Sequence, residues 1–285
     1  MIVILKIKKY KINFHSQYFE VYLYLFHKIM GVKITFLGTG TSQGIPVINC
    51  THPVCLSKDK RDTRLRVSIL VEWDNYTFVV DCGPDFRYQM LRANVTKIDG
   101  ILFTHEHADH TAGLDDIRPF SFQLGAVPIY AQKRVLENLT IRFDYIFEEN
   151  DKYPGAPSVV QNEIKNTPFQ LKNLKIIPIE VAHGELLIFG FRFGNVAYLT
   201  DVKTITTKEK TKLKNLEVLI INAIRYKPHR SHLNLEEALN LIEELKPKKA
   251  YLTHISHYLG FHADVEKILP KNVFLAYDEL VLDIT

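Results

Sequence analysis

The sequence predicts an α/β protein built as a four-layer αβ/βα sandwich. Two strand-rich halves follow one another along the chain, and helical segments are interleaved with the strands in both. With 285 residues and 46% hydrophobic content, the chain can bury a sizeable core. No apolar run approaches the length needed to cross a bilayer, so we expect no membrane partner. Three cysteines do not indicate a disulfide scaffold, and a cytoplasmic location is expected.

Apolar runs and turn signals define the elements of the first half. A turn at Asp74-Asn75 separates two of its strands. Strands are predicted near 32–37, 67–73, 76–80, 99–103 and 127–130, and helices over 85–94, 113–122 and 133–147. The polar segment 148–168 is expected to be a mobile loop, and a lid is the alternative.

The second half is richer in strands. Gly194-Asn195 is a hairpin turn signal between two of them, and the apolar spacing of 235–245 is that of an amphipathic helix. Strands are predicted near 174–180, 186–193, 196–199, 216–221, 249–252, 273–276 and 279–283, with a second helix near 262–268.

Residues 1–29 are expected to lie outside the domain, which we predict to span 30–285. The segment holds five lysines and one glutamate, so it carries the whole net charge of +4 and leaves the remaining chain neutral. Nucleic acid is therefore not an expected partner. An over-long start assignment is the favoured interpretation of the segment. An additional packing segment and a surface anchor are the alternatives.

A cluster of potential metal ligands follows the apolar run 101–103. It reads His105-Glu-His107-Ala-Asp109-His110. Imidazole nitrogens and carboxylate oxygens suit a divalent ion such as zinc. If the strand ends near His105, this residue and His107 project to one side, while Asp109 and His110 can reach a second ion. Two adjacent metal ions are plausible from this loop alone.

Two motifs precede this cluster. The glycine-rich segment 38–46 matches neither the dinucleotide fingerprint nor the phosphate-binding Gly-Lys-Ser/Thr loop, so it is either a tight turn or a loop of backbone amides lining a phosphate pocket. Cys50, His52 and Cys55 then form half of a zinc site by ligand type. We call the segment 50–55 the hook.

Further polar residues stand where predicted strands end. Asp81 is either a turn carboxylate or a residue that orients a ligand imidazole. His183, Asp201 and His254 each follow a strand. Because polar residues at one edge of a sheet sandwich converge on one cleft, these residues extend the predicted site.

The order of these residues resembles that of the metallo-β-lactamase superfamily, over about residues 32–283. The resemblance implies the αβ/βα sandwich and a centre of two divalent ions, zinc or manganese. It places His105, His107 and His183 on one ion. It places Asp109, His110 and His254 on the other, with Asp201 bridging. All seven ligand positions are filled, which argues against a non-catalytic relative.

Within that superfamily, three motifs together resemble the phosphoribosyl 1,2-cyclic phosphate phosphodiesterase branch: the glycine-rich segment, the hook and Thr253-His254-Ile-Ser-His257. This resemblance implies a third, structural zinc held by the hook and His257. The branch has three cysteines in the hook, whereas this chain has His52 in the middle position. Imidazole still completes a Cys₂His₂ site. His232 matches the additional active-site histidine of the branch, and His229 is its nearby rival.

The resemblance implies hydrolysis of a small phosphodiester, cyclic or nucleotide-like, by a hydroxide that bridges the two ions. Asp109 and His232 belong to the implied catalytic set, with His232 serving the leaving oxygen or the phosphoryl charge. Asp81 and Thr104 are expected to support the ligands from behind. A homodimer is expected because relatives often form one.

Three alternative functions share the fold. A tRNA 3′-processing endonuclease of the superfamily carries its tRNA-gripping arm between the residues equivalent to His183 and Asp201, which are only 18 positions apart here. A thioester or lactone hydrolase uses the same hydroxide, but neither the hook nor His232 is expected in it. The third alternative is a ligand-binding sensor without catalysis.

Overall fold

The computed structural model describes residues 31–148 and 150–284, so the extension 1–29 lies outside the described residues. The described chain contains fourteen strands. The strands of its first part are β1 Val32–Gly38, β2 Ser68–Trp73, β3 Tyr76–Val80, β4 Gly100–Leu102, β5 Val127–Ala131 and β6 Val159–Glu163. The later strands are β7 Phe169–Leu171, β8 Leu174–His183, β9 Leu186–Phe193, β10 Val196–Leu199, β11 Val218–Asn222, β12 Lys249–Thr253, β13 Val273–Leu275 and β14 Val281–Ile284.

These strands form two seven-stranded sheets that repeat one design. The first has the order β14-β1-β2-β3-β4-β5-β6 and the second β13-β12-β11-β10-β9-β8-β7. In the first sheet the pairs from β14 to β3 are antiparallel and those from β3 to β6 are parallel. The second sheet is antiparallel from β7 to β10 and parallel from β10 to β13. Each sheet therefore has a parallel part, whose strands end at a common edge.

Helices cover the outer faces of both sheets. The α-helices are α1 Phe86–Arg92, α2 Ala108–Thr111, α3 Arg118–Leu124, α4 Lys133–Arg142, α5 Asp144–Phe147, α6 Thr207–Lys210, α7 Leu235–Leu245 and α8 His262–Ile268. Short 3₁₀ turns occupy Pro53–Leu56, Lys60–Asp62, Leu114–Ile117, Thr211–Leu213 and His257–Leu259. No helix in the described ranges is both long and apolar enough to span a membrane.

The core is layered because strand side chains alternate between the two faces of a sheet. On the outer face of the first sheet, Val79 and Ile101 pack in one cluster with Phe86 of α1. On the second sheet, Leu219 and Leu252 pack in another cluster with Ala238 of α7. Between the sheets, the rings of Phe36 and Tyr251 lie 6.2 Å apart. The predicted four-layer sandwich is confirmed.

Three predicted elements were wrong in detail. Pro119 lies in the first turn of α3, and the residues before it form the 3₁₀ turn Leu114–Ile117, so 113–122 is not one helix. Phe143, at φ −127° and ψ 42°, separates α4 from α5 within 133–147. The segment 148–168 is not a continuous loop, since β6 lies within it and pairs with β5. Most of the side chains of β6 are exposed because it is an edge strand, which explains its polar sequence.

Candidate metal centre

The predicted ligands gather where strands of both sheets end. Asp81 follows β3, the residues from Thr104 to His110 follow β4, His183 ends β8, Asp201 follows β10 and His254 follows β12. Asp81, Asp201 and His254 have left-handed backbone conformations, with φ of 67°, 58° and 54°. This conformation turns the chain sharply at the strand end.

The first group of ligands contains three histidines. Ring nitrogens of His105, His107 and His183 all lie within 4.8 Å of one another. His105 Nε2 is 2.9 Å from His107 Nδ1. The backbone of His107 is extended, and the helix begins only at Ala108, so His107 stays in the loop with His105, where both can face His183.

The second group begins as the chain turns into α2. Asp109 and His110 lie in this short helix, and their ligand atoms are within 4.8 Å of those of His254. Asp201 lies next to both histidines: its Oδ2 is 3.3 Å from His110 Nε2 and its Oδ1 is 3.2 Å from His254 Nε2. Asp201 also groups with His183 of the first set, so it lies between the two sets.

Buried nitrogen atoms that make no hydrogen bond indicate that this cluster fits metal ions. Within the described residues, His110 Nε2 and both ring nitrogens of His254 are buried without a hydrogen bond, although the two Nε2 atoms lie 3.2–3.3 Å from Asp201 oxygens. Leaving such atoms unpaired destabilises a fold by roughly 1–3 kcal/mol each, whereas a divalent cation would satisfy the two Nε2 atoms. The set of imidazoles and carboxylates suits zinc or manganese.

Asp81 supports two of the predicted ligand histidines, His110 directly and His105 through Thr104. Its carboxylate accepts hydrogen bonds from His110 Nδ1–H at 2.7 Å, from Thr104 N–H at 2.8 Å and from the Thr104 hydroxyl at 2.9 Å. The Thr104 hydroxyl also lies 3.0 Å from His105 Nδ1. Both rings are therefore held by Nδ1, with Nε2 facing the cluster.

Two supporting contacts were not predicted. His183 Nδ1 donates to the carbonyl of Ser231 at 3.0 Å, and the Thr200 hydroxyl donates to Asp201 Oδ2 at 2.6 Å. A backbone carbonyl has no sequence signature. Thr200 did have a sequence signature, because it directly precedes Asp201 as Thr104 directly precedes His105.

The charges of the cluster stabilise one another. Burial alone would raise the pKa of Asp201, but His254 and His110 outweigh it and hold that pKa well below its ordinary value. Burial would lower the pKa of His110, but the carboxylates of Asp109, Asp201 and Asp81 raise it well above the ordinary value. Protons therefore compete with metal ions for this cluster.

Two glycines let the metal loop approach the turn after β3. A Cβ atom on Gly83 would lie 2.1 Å from the carbonyl oxygen of Asp109, and one on Gly113 would lie 2.1 Å from that of Gly83. Neither position can therefore hold a side chain without moving this backbone. Neither glycine was predicted to have this role.

The hook forms a separate group of ligands. The ligand atoms of Cys50, Cys55 and His257 lie within 4.8 Å of one another, and both cysteines are free thiols. His52 lies beside them, with its ring centre 4.9 Å from that of His257. Its Nδ1 accepts a hydrogen bond from Val54 N–H at 3.3 Å, which leaves Nε2 as its available ligand atom. The two thiols and the His257 imidazole fit zinc. His52 was predicted as a fourth ligand, but its ring nitrogens do not belong to this group of ligand atoms.

A cavity of about 300 Å³ opens onto the main cluster. Thr41, Ser42 and Gln43 of the glycine-rich segment line it, so this segment is both a tight turn, closed by Gly44 N–H donating to the Thr41 carbonyl, and part of the cavity wall. His232 also lines it, with Nε2 2.8 Å from Asp201 Oδ1 and Nδ1 3.0 Å from His229 Nδ1.

A two-sheet sandwich with this cluster at its strand ends defines a class, the metal-dependent hydrolases of the metallo-β-lactamase fold. A family model described as "Beta-lactamase superfamily domain" matches residues 76–255. A solved structure described as a new diphosphatase from the PhnP family is 41% identical and has a TM-score of 0.84, covering 90% of this chain and 98% of its own. The chain belongs to the beta-lactamase superfamily and, within it, to the PhnP family. The predicted superfamily is confirmed.

Two further relatives differ in length and name. The octanoyltransferase of Porphyromonas gingivalis is 38% identical over 252 residues, which make up 87% of this chain but 51% of that protein. The chain thus spans about half the length of that relative. The ribonuclease Z of Borrelia garinii subsp. bavariensis is 25% identical over 317 aligned positions, covering 88% of this chain and 93% of the relative.

Proposed function

We propose that this chain hydrolyses small phosphoric diesters, cyclic or nucleotide-like, in the cytoplasm and with two divalent ions, zinc or manganese. The observation that carries the proposal is His232, which lies 2.8 Å from Asp201 in the cavity that opens onto both ligand sets. When bound, such ions supply Lewis-acid charge for the phosphoryl oxygens and lower the pKa of a water molecule.

The chain's own groups supply the remaining functions. Burial lowers the pKa of His232 to about 4, so its imidazole is neutral near pH 7 and still carries one N–H donor. In the structure this N–H faces Asp201 Oδ1. If Asp201 is held by the metal ions instead, the N–H would be free to hydrogen-bond the phosphoryl or leaving oxygen, and His232 would become a proton donor when an anionic substrate raises its pKa. Arg225, in the same cavity wall, adds positive charge for a phosphate group.

The size of the cleft favours a small substrate over tRNA. The structure describes every residue between His183 and Asp201. This segment forms only β9, β10 and their turns. A cavity of about 300 Å³ is at the lower end of the range for small-molecule sites. The sequence identity to ribonuclease Z is explained by membership of the same superfamily, and we do not propose RNA as a substrate of this chain.

The test is hydrolysis of bis(p-nitrophenyl) phosphate with added manganese or zinc, by wild type and by His232→Ala. We expect His232→Ala to keep both active-site ions and to lose roughly 10²- to 10⁴-fold in rate on diesters with poor leaving groups, the usual contribution of a positioned acid. The loss should be smaller with p-nitrophenolate, which needs little protonation. His229→Ala tests the rival histidine, because a larger loss in that variant would assign the role to His229. An unchanged rate on both substrate types would refute the role of His232.

A second candidate reaction is hydrolysis of a diphosphate diester at one of its phosphorus atoms. It is favoured by the 41% identity to a protein described as a diphosphatase. The same donors and charges serve either bond, since both reactions place negative charge on phosphoryl oxygens. Comparing kcat/KM for a dinucleoside diphosphate and for a cyclic nucleotide would decide between them.

The structural zinc is part of the proposal. We assign it to Cys50, Cys55 and His257, whose ligand atoms lie within 4.8 Å of one another. We propose His52 Nε2, which lies outside that group, as the fourth ligand. The expected homodimer remains a prediction, which the molar mass in solution would test.

A further inference from the structure

An exposed aromatic ring stands in the wall of the catalytic cavity. Tyr258 lines the same cavity as Asp201 and His232, yet 60% of its surface is exposed. Its two neighbours in the 3₁₀ turn, His257 and Leu259, are buried. Both neighbours therefore anchor the turn to the fold. The Tyr258 side chain between them is left exposed in the cavity wall.

Two imidazoles restrain the Tyr258 ring. Its centre lies 4.0 Å from that of His257 and 5.8 Å from that of His52, which meets it edge-on at 75°. These contacts come from the hook and its partner histidine. A ring that is already held loses little side-chain entropy when a ligand packs on its free face. This arrangement is that of a rigid binding surface.

Polar side chains share the cavity wall with Tyr258. Gln43 and Arg225 line it with Tyr258, offering amide and guanidinium groups. The combination of an aromatic face, hydrogen-bonding groups and a positive charge suits a nucleotide, which has a planar base and a charged phosphate. A volume of about 300 Å³ has room for one such unit.

We propose that Tyr258 is a specificity-determining residue that stacks on the nucleobase of a nucleotide diester bound at the metal centre. This inference rests on the proposed function and deepens it, since it names the part of the substrate that lies beyond the reacting phosphate. The hook then contributes to substrate recognition, because His52 and His257 hold the ring.

Two esters with the same leaving group test the inference. Thymidine 5′-(p-nitrophenyl phosphate) carries a base, whereas methyl p-nitrophenyl phosphate does not. Stacking of one base contributes roughly 5- to 150-fold in binding, so Tyr258→Ala should raise KM for the thymidine ester by about that factor. Its kcat should change little, its KM for the methyl ester should not change, and Tyr258→Phe should retain the wild-type KM for both esters.

Tyr226→Ala is the matched control, since Tyr226 is 47% exposed and does not belong to the described cavity wall. A binding measurement separates this inference from the proposed function. Calorimetry with thymidine 5′-monophosphate should show the same 5- to 150-fold loss in Tyr258→Ala, whether or not the ester is hydrolysed. Equal nucleotide affinity in wild type and Tyr258→Ala would overturn the stacking role. Failure of the wild type to hydrolyse either ester would overturn the proposed function alone.

Discussion

Asp81→Asn is expected to weaken metal binding by changing the tautomer of a ligand that Asp81 itself holds. The carboxylate accepts from Thr104 N–H through Oδ1 and from His110 Nδ1–H through Oδ2. An asparagine must keep its oxygen toward Thr104 N–H, because the opposite orientation would place two donors against each other. Its NH₂ group then faces His110 Nδ1, which must become an acceptor. The proton moves to Nε2, the atom that faces the metal site.

The expected magnitude is that of losing the group that orients a ligand, a fall in metal affinity of about 10- to 100-fold. This corresponds to about 1.4–2.7 kcal/mol of binding free energy. Competition with a chromogenic chelator would measure it, and catalytic rate at limiting metal should fall in parallel. Because side-chain volume is unchanged, the fold should remain intact by circular dichroism.

Asp115→Asn is the matched control. Asp115 accepts hydrogen bonds from Arg118 and Tyr145 and holds no ligand histidine, so metal affinity should not change. A folded Asp81→Asn protein with wild-type metal affinity would refute the tautomer argument. It would mean that His110 binds metal without help from Asp81.

Three further predictions address other parts of the molecule. Cys55→Ser should reduce the bound ions from about three per chain to two by elemental analysis, and retention of all three would remove the hook as a zinc site. Gly83→Ala should destabilise the fold by about 1–3 kcal/mol in urea denaturation, because its Cβ meets the carbonyl of Asp109, and wild-type stability would show that this backbone can shift freely. Burial, followed by the charge of Arg64, lowers the pKa of His262 to about 4 from 6.5. Between pH 4 and pH 6.5 the unfolded chain therefore binds more protons than the folded one, so the free energy of unfolding should fall as the pH is lowered through this range. The fall should be less steep in His262→Gln. An equally steep fall in wild type and variant would contradict this.

The grouping of the predicted ligands could be anticipated because it depends on local patterns. An apolar run that ends in polar residues marks a strand end, and parallel strands end at one edge, so the sequence alone is enough to group His183, Asp201 and His254. The hairpin at Gly194-Asn195 is likewise confirmed by the antiparallel pairing of β9 with β10. The assignment of each ligand to an ion remains a proposal.

The rest of the site depends on contacts between distant segments. The carbonyl of Ser231 supports His183 across 48 positions, and no property of a serine signals that role. Gly83 is required by a carbonyl 26 positions away, so it looks like an ordinary turn residue in the sequence. β6 was missed because an edge strand needs few apolar side chains, and its partner strand provides the backbone hydrogen bonds that a sequence pattern does not reveal.

The left-handed backbone at Asp81, Asp201 and His254 limits which residues these three positions accept. Aspartate, asparagine and histidine adopt this conformation several-fold more often than most residues, glycine adopts it freely, and β-branched residues rarely do. A library randomised at the three positions and selected only for a folded product should therefore be depleted of valine, isoleucine and threonine. The turns thus narrow the choice of residues at these strand ends before any metal ion or substrate does.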